Sequence, residues 1–385
     1  MTKIAVVTTS RAEFGLMFDV IKQIENSTQL ELQLIVSGSH LAKEHGMTVN
    51  EITEQGLCIA AQIPILSQID SAHENVNAIA KAAAGFSEAL IELQPDLIAM
   101  MGDRFELLGF ANAALLHNIP IAHFSGGEVT SGALDDSIRH ALTKMAYLHF
   151  VSNQEHAERV LNMGEDPSRV FNVGEPGLVR LYQEPKFKLT ELSSSLRFEL
   201  IENKFFLFTY HSVTTESLAQ NTAAISSILD ALDHYPDYKV LMTYPNADEG
   251  HETILSALKA YQQAQPERVI VVPSLGFHRY HTALKHCALV AGNSSSALIE
   301  APSLQKPSIN IGHRQQGRLS AQSVIHCLPN QLPKAIEKGL SAKFKTVCEK
   351  TVNPYGDADS IEKIIVQLEA FSPIKTVKKV FYDKA

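Results

Sequence analysis

At 385 residues the chain has room for two domains of ordinary size. A 45% apolar and 19% charged composition predicts a soluble globular protein, and no apolar run approaches the ~20 residues that span a bilayer. The formal charge of −9, with no block of basic residues, excludes a nucleic-acid or anionic-membrane surface; an anionic ligand must be met by a few local Arg or His side chains and by helix amino termini. Met1 runs straight into KIAVVTTS, a first strand over residues 4–8 rather than a signal peptide. Further buried strands are predicted at 32–36, 97–101, 119–124 and 148–151, with helices between them such as 72–93. The pattern breaks at Gly174-Glu175-Pro176-Gly177 and stays polar to about residue 203. A second strand–helix series comes next, with strands at 205–209, 239–242, 269–272, 289–291 and 308–311 and a last helix at 360–371. The alternation predicts an α/β fold of two Rossmann-like domains, 1–180 and 190–360, with residues 361–385 packing back on the first. Four widely spaced cysteines, Cys58, Cys287, Cys327 and Cys348, form no CxxC pair; they read as reduced packing residues of a cytoplasmic protein without a metal site.

The chemistry concentrates in residues 97–144. Two apolar strands there end in glycine, at Gly102 and at Gly126-Gly127, and acids come at once: Asp103 and Glu106 after the first, Glu128 after the second. A polar loop then leads through Asp135-Asp136 into a helix carrying Arg139, His140 and Lys144. Ligands of open α/β sheets bind outside the carboxyl ends of the strands, so this spacing reads as an acid/base site. Arg11, in TTSRAEFG, lies at a strand-to-helix turn, where it is either a helix-start arginine or a phosphate ligand. In the second half, His211 succeeds a strand in TYHSVTTES, and Asn246 and Asp248 succeed the next in TYPNADEG. GNSSSALIE places Asn293, Ser294 and Ser295 at a helix start, a cradle for a diphosphate or an ordinary serine cap. Glu300 falls on the same helix face as Ser296. Arg314 and Arg318 come after another strand in INIGHRQQGR. Asp357-Ala358-Asp359 mimics a metal-binding DxD but sits at a helix start, where acids favour the dipole. His278, His281 and His286 have no acidic or cysteine partner at metal spacing and are read as an amphipathic helix surface.

GDRFE, HFSGGE, DDSIRHALTK, TSRAEFG, GNSSSALIEAPS and INIGHRQQGR together resemble the hydrolysing UDP-N-acetylglucosamine 2-epimerases of sialic acid synthesis, and equally those acting on UDP-N,N'-diacetylbacillosamine for legionaminic acid. The resemblance covers nearly the whole chain. It implies a GT-B-like fold with the active site in the cleft between two facing Rossmann-like domains. It implies expulsion of UDP by elimination across C1 and C2, then hydration of the 2-acetamidoglucal, with no cofactor and no metal. Carried over residue by residue, catalysis falls to Asp103, Glu128, Asp135 and His211, with Asp136 the weaker alternative to Asp135 because Asp135 has the family's offset from Arg139. Substrate contacts fall to Arg11, Arg139, Asn246, Asn293, Ser294, Ser295, Glu300 and Arg314. The chain departs from the family at Ser212, where His-Pro is usual, and at His313, where a small polar residue is common. The resemblance further implies a homo-oligomer, dimer or tetramer. A GT-B glycosyltransferase is the more distant alternative, told apart by the product's configuration at C2.

Overall fold

The computed structural model describes residues 1–43, 46–67, 71–130, 134–183, 187–245 and 250–383. The chain divides into two compact units. One comprises Met1–Val129, Ala133–Arg180 and Tyr355–Ala385; the other comprises Thr130–Gly132 and Leu181–Pro354.

The first unit is built on seven parallel strands: β1 (Thr2–Thr8), β2 (Leu30–Ser37), β3 (Ile59–Ile63), β4 (Leu97–Met101), β5 (Ile121–Phe124), β6 (Leu148–Val151) and β7 (Val170–Asn172), in the order β3-β2-β1-β4-β5-β6-β7. Its central strands are apolar at nearly every position because both faces are covered. Ile4, Val6, Leu97, Ala99 and Met101 join one core, while Ala5, Val7, Ile98 and Met100 join the other. The Arg11–Asn26 helix covers the first face with Phe14, Met17, Val20, Ile21 and Ile24. The Ala72–Leu93 helix covers the second with Ala78, Ala82, Phe86, Ala89 and Leu90. Its small residues let the Leu107–Leu116 helix approach so closely that a Cβ on Gly109 would lie 2.4 Å from the Ile79 carbonyl oxygen. After the Ser360–Ala370 helix has added Ile361, Ile364 and Leu368 to the first core, the tail runs on over the same unit. There the Asn118 amide donates to the Lys375 carbonyl (3.1 Å) and accepts from Val377 N–H (3.0 Å).

The second unit repeats the pattern with β8 (Phe205–Thr209), β9 (Lys239–Thr243), β10 (Val269–Val272), β11 (Leu289–Gly292), β12 (Ser308–Ile311) and β13 (Val324–Cys327), in the order β10-β9-β8-β11-β12-β13 and parallel throughout. Each sheet therefore reverses its strand order beside its first strand, at β1/β4 and at β8/β11, where ligands of such sheets sit.

Three strands escaped the sequence reading. β3 and β13 are edge strands with mixed burial, and β7 is only three residues long. The stretch after residue 180, read as irregular, holds the Leu189–Leu196 helix; it buries only Leu192 and so carries no apolar stripe. The helix read after GNSS is a single turn, Ser296–Ile299.

Gly292 adopts φ 143°, and a Cβ there would stand 1.8 Å from the Thr209 carbonyl oxygen, so the close approach of β8 and β11 admits only glycine. Gly292→Ala should destabilise the protein by ~3 kcal/mol or more, a backbone clash with no flexible side chain to yield. A drop of several degrees in Tm checks this; an unchanged Tm refutes it.

Candidate active site

β4 and β5 run in register, with Met101 beside Phe124, so both strands release their loops at one edge. Gly102 turns the chain at φ 84° and Gly127 at φ 76°. A Cβ on Gly127 would meet the His156 carbonyl oxygen at 2.5 Å, which is why the loop bearing Glu128 can lie so tightly against its neighbour. Arg139, on the Leu134–Met145 helix, is only 2% exposed and gathers the two loops released by these strands. Its guanidinium pairs with the Asp103 carboxylate, donates to the Glu128 carbonyl (3.2 Å) and stands 3.7 Å from Asp136. Asp103 keeps a quarter of its side chain exposed, and Asp135, in the first turn of the helix, is open to solvent. Glu128 is buried, with the Ser152 hydroxyl 3.5 Å from its Oε1; the same hydroxyl lies 2.9 Å from His156 Nδ1. His123 bridges the Gly102 carbonyl (2.8 Å from Nε2) and the Thr143 hydroxyl (3.2 Å from Nδ1), joining the β4 turn to the helix. Burial pushes the His123 pKa down to about 4, so it serves as a neutral bridge.

Beside this group, where β1 and β4 adjoin, lies a buried cluster that the sequence reading did not assemble. Glu106 is fully buried and accepts from Arg104 Nε at 2.7 Å. Glu13 Oε2 accepts from Thr9 N–H (2.8 Å), the Thr9 hydroxyl (2.8 Å) and Ser10 N–H (3.1 Å). Burial, helped by Glu106 and opposed by Arg104, raises the Glu13 pKa to about 7. Burial works against the charge of Arg104, but Glu106, Glu13 and Asp135 outweigh it and hold the guanidinium above its usual value. Ser10 and Glu13 form a capping box, S-x-x-E, and that spacing in TTSRAEFG was the available signal. Arg11 begins the helix; its side chain is more than half exposed and lies 3.9 Å from Glu51.

In the second unit Asn293 is fully buried and clasps the backbone of residue 211 from both sides. Its Oδ1 accepts from His211 N–H (2.7 Å) and its Nδ2 donates to the His211 carbonyl (2.8 Å). The sequence reading offered this amide to a diphosphate; in the structure its oxygen and nitrogen both bond the backbone of His211. The Asn293 carbonyl in turn receives Gln315 Nε2 (2.9 Å) and Arg314 Nη1 (3.3 Å). Burial, with Arg314 nearby, lowers the His211 pKa to about 3, so its imidazole is neutral at pH 7. Ser294 and Ser295 are half-buried, and the Tyr280 hydroxyl donates to Ser296 Oγ (2.7 Å). Glu300 lies 2.7 Å from His281 Nε2, and His281 is buried rather than on a helix surface. For His281 the surface reading failed, because burial of a single histidine leaves no periodic trace; His278 is exposed and His286 half-buried. Asn246 and Asp248 lie outside the described residues. Among the described residues no group of three or more His, Cys, Asp or Glu side chains could hold a metal ion, and no helix is long and apolar enough to cross a membrane.

A family model described as UDP-N-acetylglucosamine 2-epimerase matches residues 22–369. The chain belongs to that family. Among relatives of this 2-epimerase family, it is 37% identical to the GDP/UDP-N,N'-diacetylbacillosamine 2-epimerase (hydrolyzing) of Campylobacter jejuni, over 89% of this chain and 88% of that one. It is 33% identical to a UDP-N-acetylglucosamine 2-epimerase of Neisseria meningitidis, over 85% and 84%. In fold it matches a crystal structure of a Neisseria meningitidis UDP-GlcNAc 2-epimerase bound to UDP-GlcNAc, with a TM-score of 0.82 at 15% identity, covering 96% of this chain and all of the other. The fold class is thus the GT-B-like one of these epimerases.

The Glu13 carboxyl gives the family member a pH signature. Its folded pKa, about 7, exceeds the ordinary 4.5, so the neutral form favours folding below pH 4.5 and that advantage is lost as the pH rises through 7. Glu13→Gln, which keeps an acceptor for Thr9 and Ser10, should lose less Tm between pH 5 and pH 8 than the parent. Parallel pH–Tm curves for the two proteins would contradict the assignment.

Proposed function

We propose that the protein is a hydrolysing 2-epimerase of a UDP-2-acetamido sugar, converting UDP-GlcNAc and water to ManNAc and UDP. The observation that carries this reading is the convergence of Asp103, Asp136 and the Glu128 loop on the buried Arg139. Elimination needs a base for a weakly acidic C2 proton and relief of charge as UDP departs. The C2–H electron pair becomes the C1–C2 double bond while the C1–O bond to UDP breaks and the diphosphate leaves with its electrons. Water then adds its oxygen to C1, and a proton is delivered to C2 from the opposite face, giving the manno configuration. Asp103, Glu128 and Asp135 supply the acids and bases for these steps. His211, held in place by Asn293, serves the reaction together with them, and Ser294, Ser295, Glu300, Arg11 and Arg314 bind the substrate. A neutral His211 suits this work as a hydrogen-bonding group whose protonation does not vary near neutrality.

A second substrate, UDP-N,N'-diacetylbacillosamine, is favoured by the 37% identity to the Campylobacter enzyme named for it. Assay of both nucleotide sugars side by side decides between them. The reading also includes a cytoplasmic setting, supported by four free cysteines, and a homo-oligomer, supported by the family resemblance and checked by light scattering.

Asp103→Asn, Glu128→Gln and Asp135→Asn should each lower kcat by about a hundredfold or more, the scale of general acid–base groups, with UDP affinity changed only a few-fold. Near-parent turnover in all three removes the site. Turnover in deuterium oxide should place one deuterium at C2 of a free manno sugar and release one UDP per sugar, without added metal or nicotinamide. Proton NMR reads the label; a gluco product, or transfer to an acceptor, refutes the reading.

A further inference from the structure

The helix that carries Asp135 and Arg139 is held at its far end by Lys379 and the residues beside it. The final carbonyls of any helix lack partners within it, and a cation placed there favours the dipole. For the Leu134–Met145 helix that cation is Lys379, whose ammonium donates to the Lys144 and Ala146 carbonyls. The same ammonium lies 2.7 Å from Glu165 Oε2. Glu165 is fully buried and also receives Lys144 Nζ at 2.6 Å and His149 Nε2 at 3.0 Å. Burial alone would raise the Glu165 pKa, but hydrogen bonds from His149, Lys144 and Lys379 pull it down to about 2. Two residues on, Phe381 lies against Gly164, where an added Cβ would meet its ring at 2.3 Å, and faces the Lys144 ammonium at 5.0 Å; Tyr382 N–H donates to the Gly164 carbonyl at 3.0 Å. Phe381 and Tyr382 remain 61% and 44% exposed, so polar contacts, those of the Lys379 ammonium together with the hydrogen bonds at Asn118 and Gly164, contribute heavily to holding the tail.

We propose that the carboxyl-terminal tail is a positioning element for the reaction: Lys379, by fixing the end of the Leu134–Met145 helix, sets the placement of Asp135 at its start and of Arg139 midway along it. This rests on the functional reading given above. From Lys144 back to Asp135 is nine residues, ~14 Å of helix at about 1.5 Å per residue, short enough to move as a rigid rod. Along it, the Thr143 hydroxyl bonds the Arg139 carbonyl (2.8 Å) and approaches His123, which holds the Gly102 turn. A shift at the Lys379 end is therefore transmitted to Arg139 and, through it, to Asp103. Displacements of about 1 Å are enough to cost turnover heavily when reacting groups must be aligned.

The test uses the full chain with Lys379→Met, which keeps the stem and removes the charge. Lys379→Arg serves as the conservative rescue, and Lys378→Met, at the exposed neighbouring lysine, as the matched control. Amide hydrogen exchange over residues 134–145 and steady-state kinetics with UDP-GlcNAc and UDP-N,N'-diacetylbacillosamine are read together. In Lys379→Met, exchange in that helix should quicken and kcat fall about tenfold with KM within twofold. Lys379→Arg should restore both, and Lys378→Met should change neither. Unchanged exchange, unchanged kcat, or a loss that the control shares overturns the proposal. If Lys379→Met does not fold, Glu165→Gln, which removes the anion but not the volume, takes its place with the same criteria. A parent protein that turns over neither sugar would sink the functional reading alone. The exchange comparison would then still decide whether the tail holds the helix.

Discussion

A guanidinium excluded from water must be surrounded by groups that replace its hydration, and in this fold that constraint falls on Arg139. Its fork cannot be deprotonated to escape the cost, so carboxylates and carbonyls have to come to it. Asp103 arrives from the end of β4, the Glu128 carbonyl from the loop after β5, and Asp136 from the turn below. Placing one buried cation thereby ties the loops after β4 and β5 to the helix that carries it. Removing it would leave partly buried acids facing one another, an arrangement far costlier than the loss of a single hydrogen bond.

The second unit solves the analogous problem without charge. Asn293 matches one donor and one acceptor to the N–H and carbonyl of His211, a neutral exchange that asks for no counter-ion. Both devices lie at carboxyl ends of central strands, where backbone hydrogen bonding of the sheet stops and polar groups must find other partners. The glycines beside them have the same origin: a side chain at Gly127 or Gly292 would strike a neighbouring carbonyl.

How much of this was legible depends on which features leave a pattern. Strands buried on both faces, such as β4 and β8, read directly as apolar runs, and the Ala72–Leu93 helix as helical spacing. The edge strands β3 and β13 lack that continuity, and β7 is too short to show any. Asp103 and Glu128 stood out because charge directly after a buried strand is unusual, whereas Asp135 and Arg139, beyond a polar loop, were singled out by the family resemblance. Direction could not be read. Sequence shows that Asn293 comes after a strand, but only the folded backbone shows its amide turned onto His211. Glu13 and His281 hid for a related reason, since burial of one polar residue has no period.

The fit of Phe381 over Gly164 carries a practical corollary. Any side chain at Gly164 would strike the Phe381 ring, so these two positions, far apart in sequence, have to be varied together when the protein is engineered.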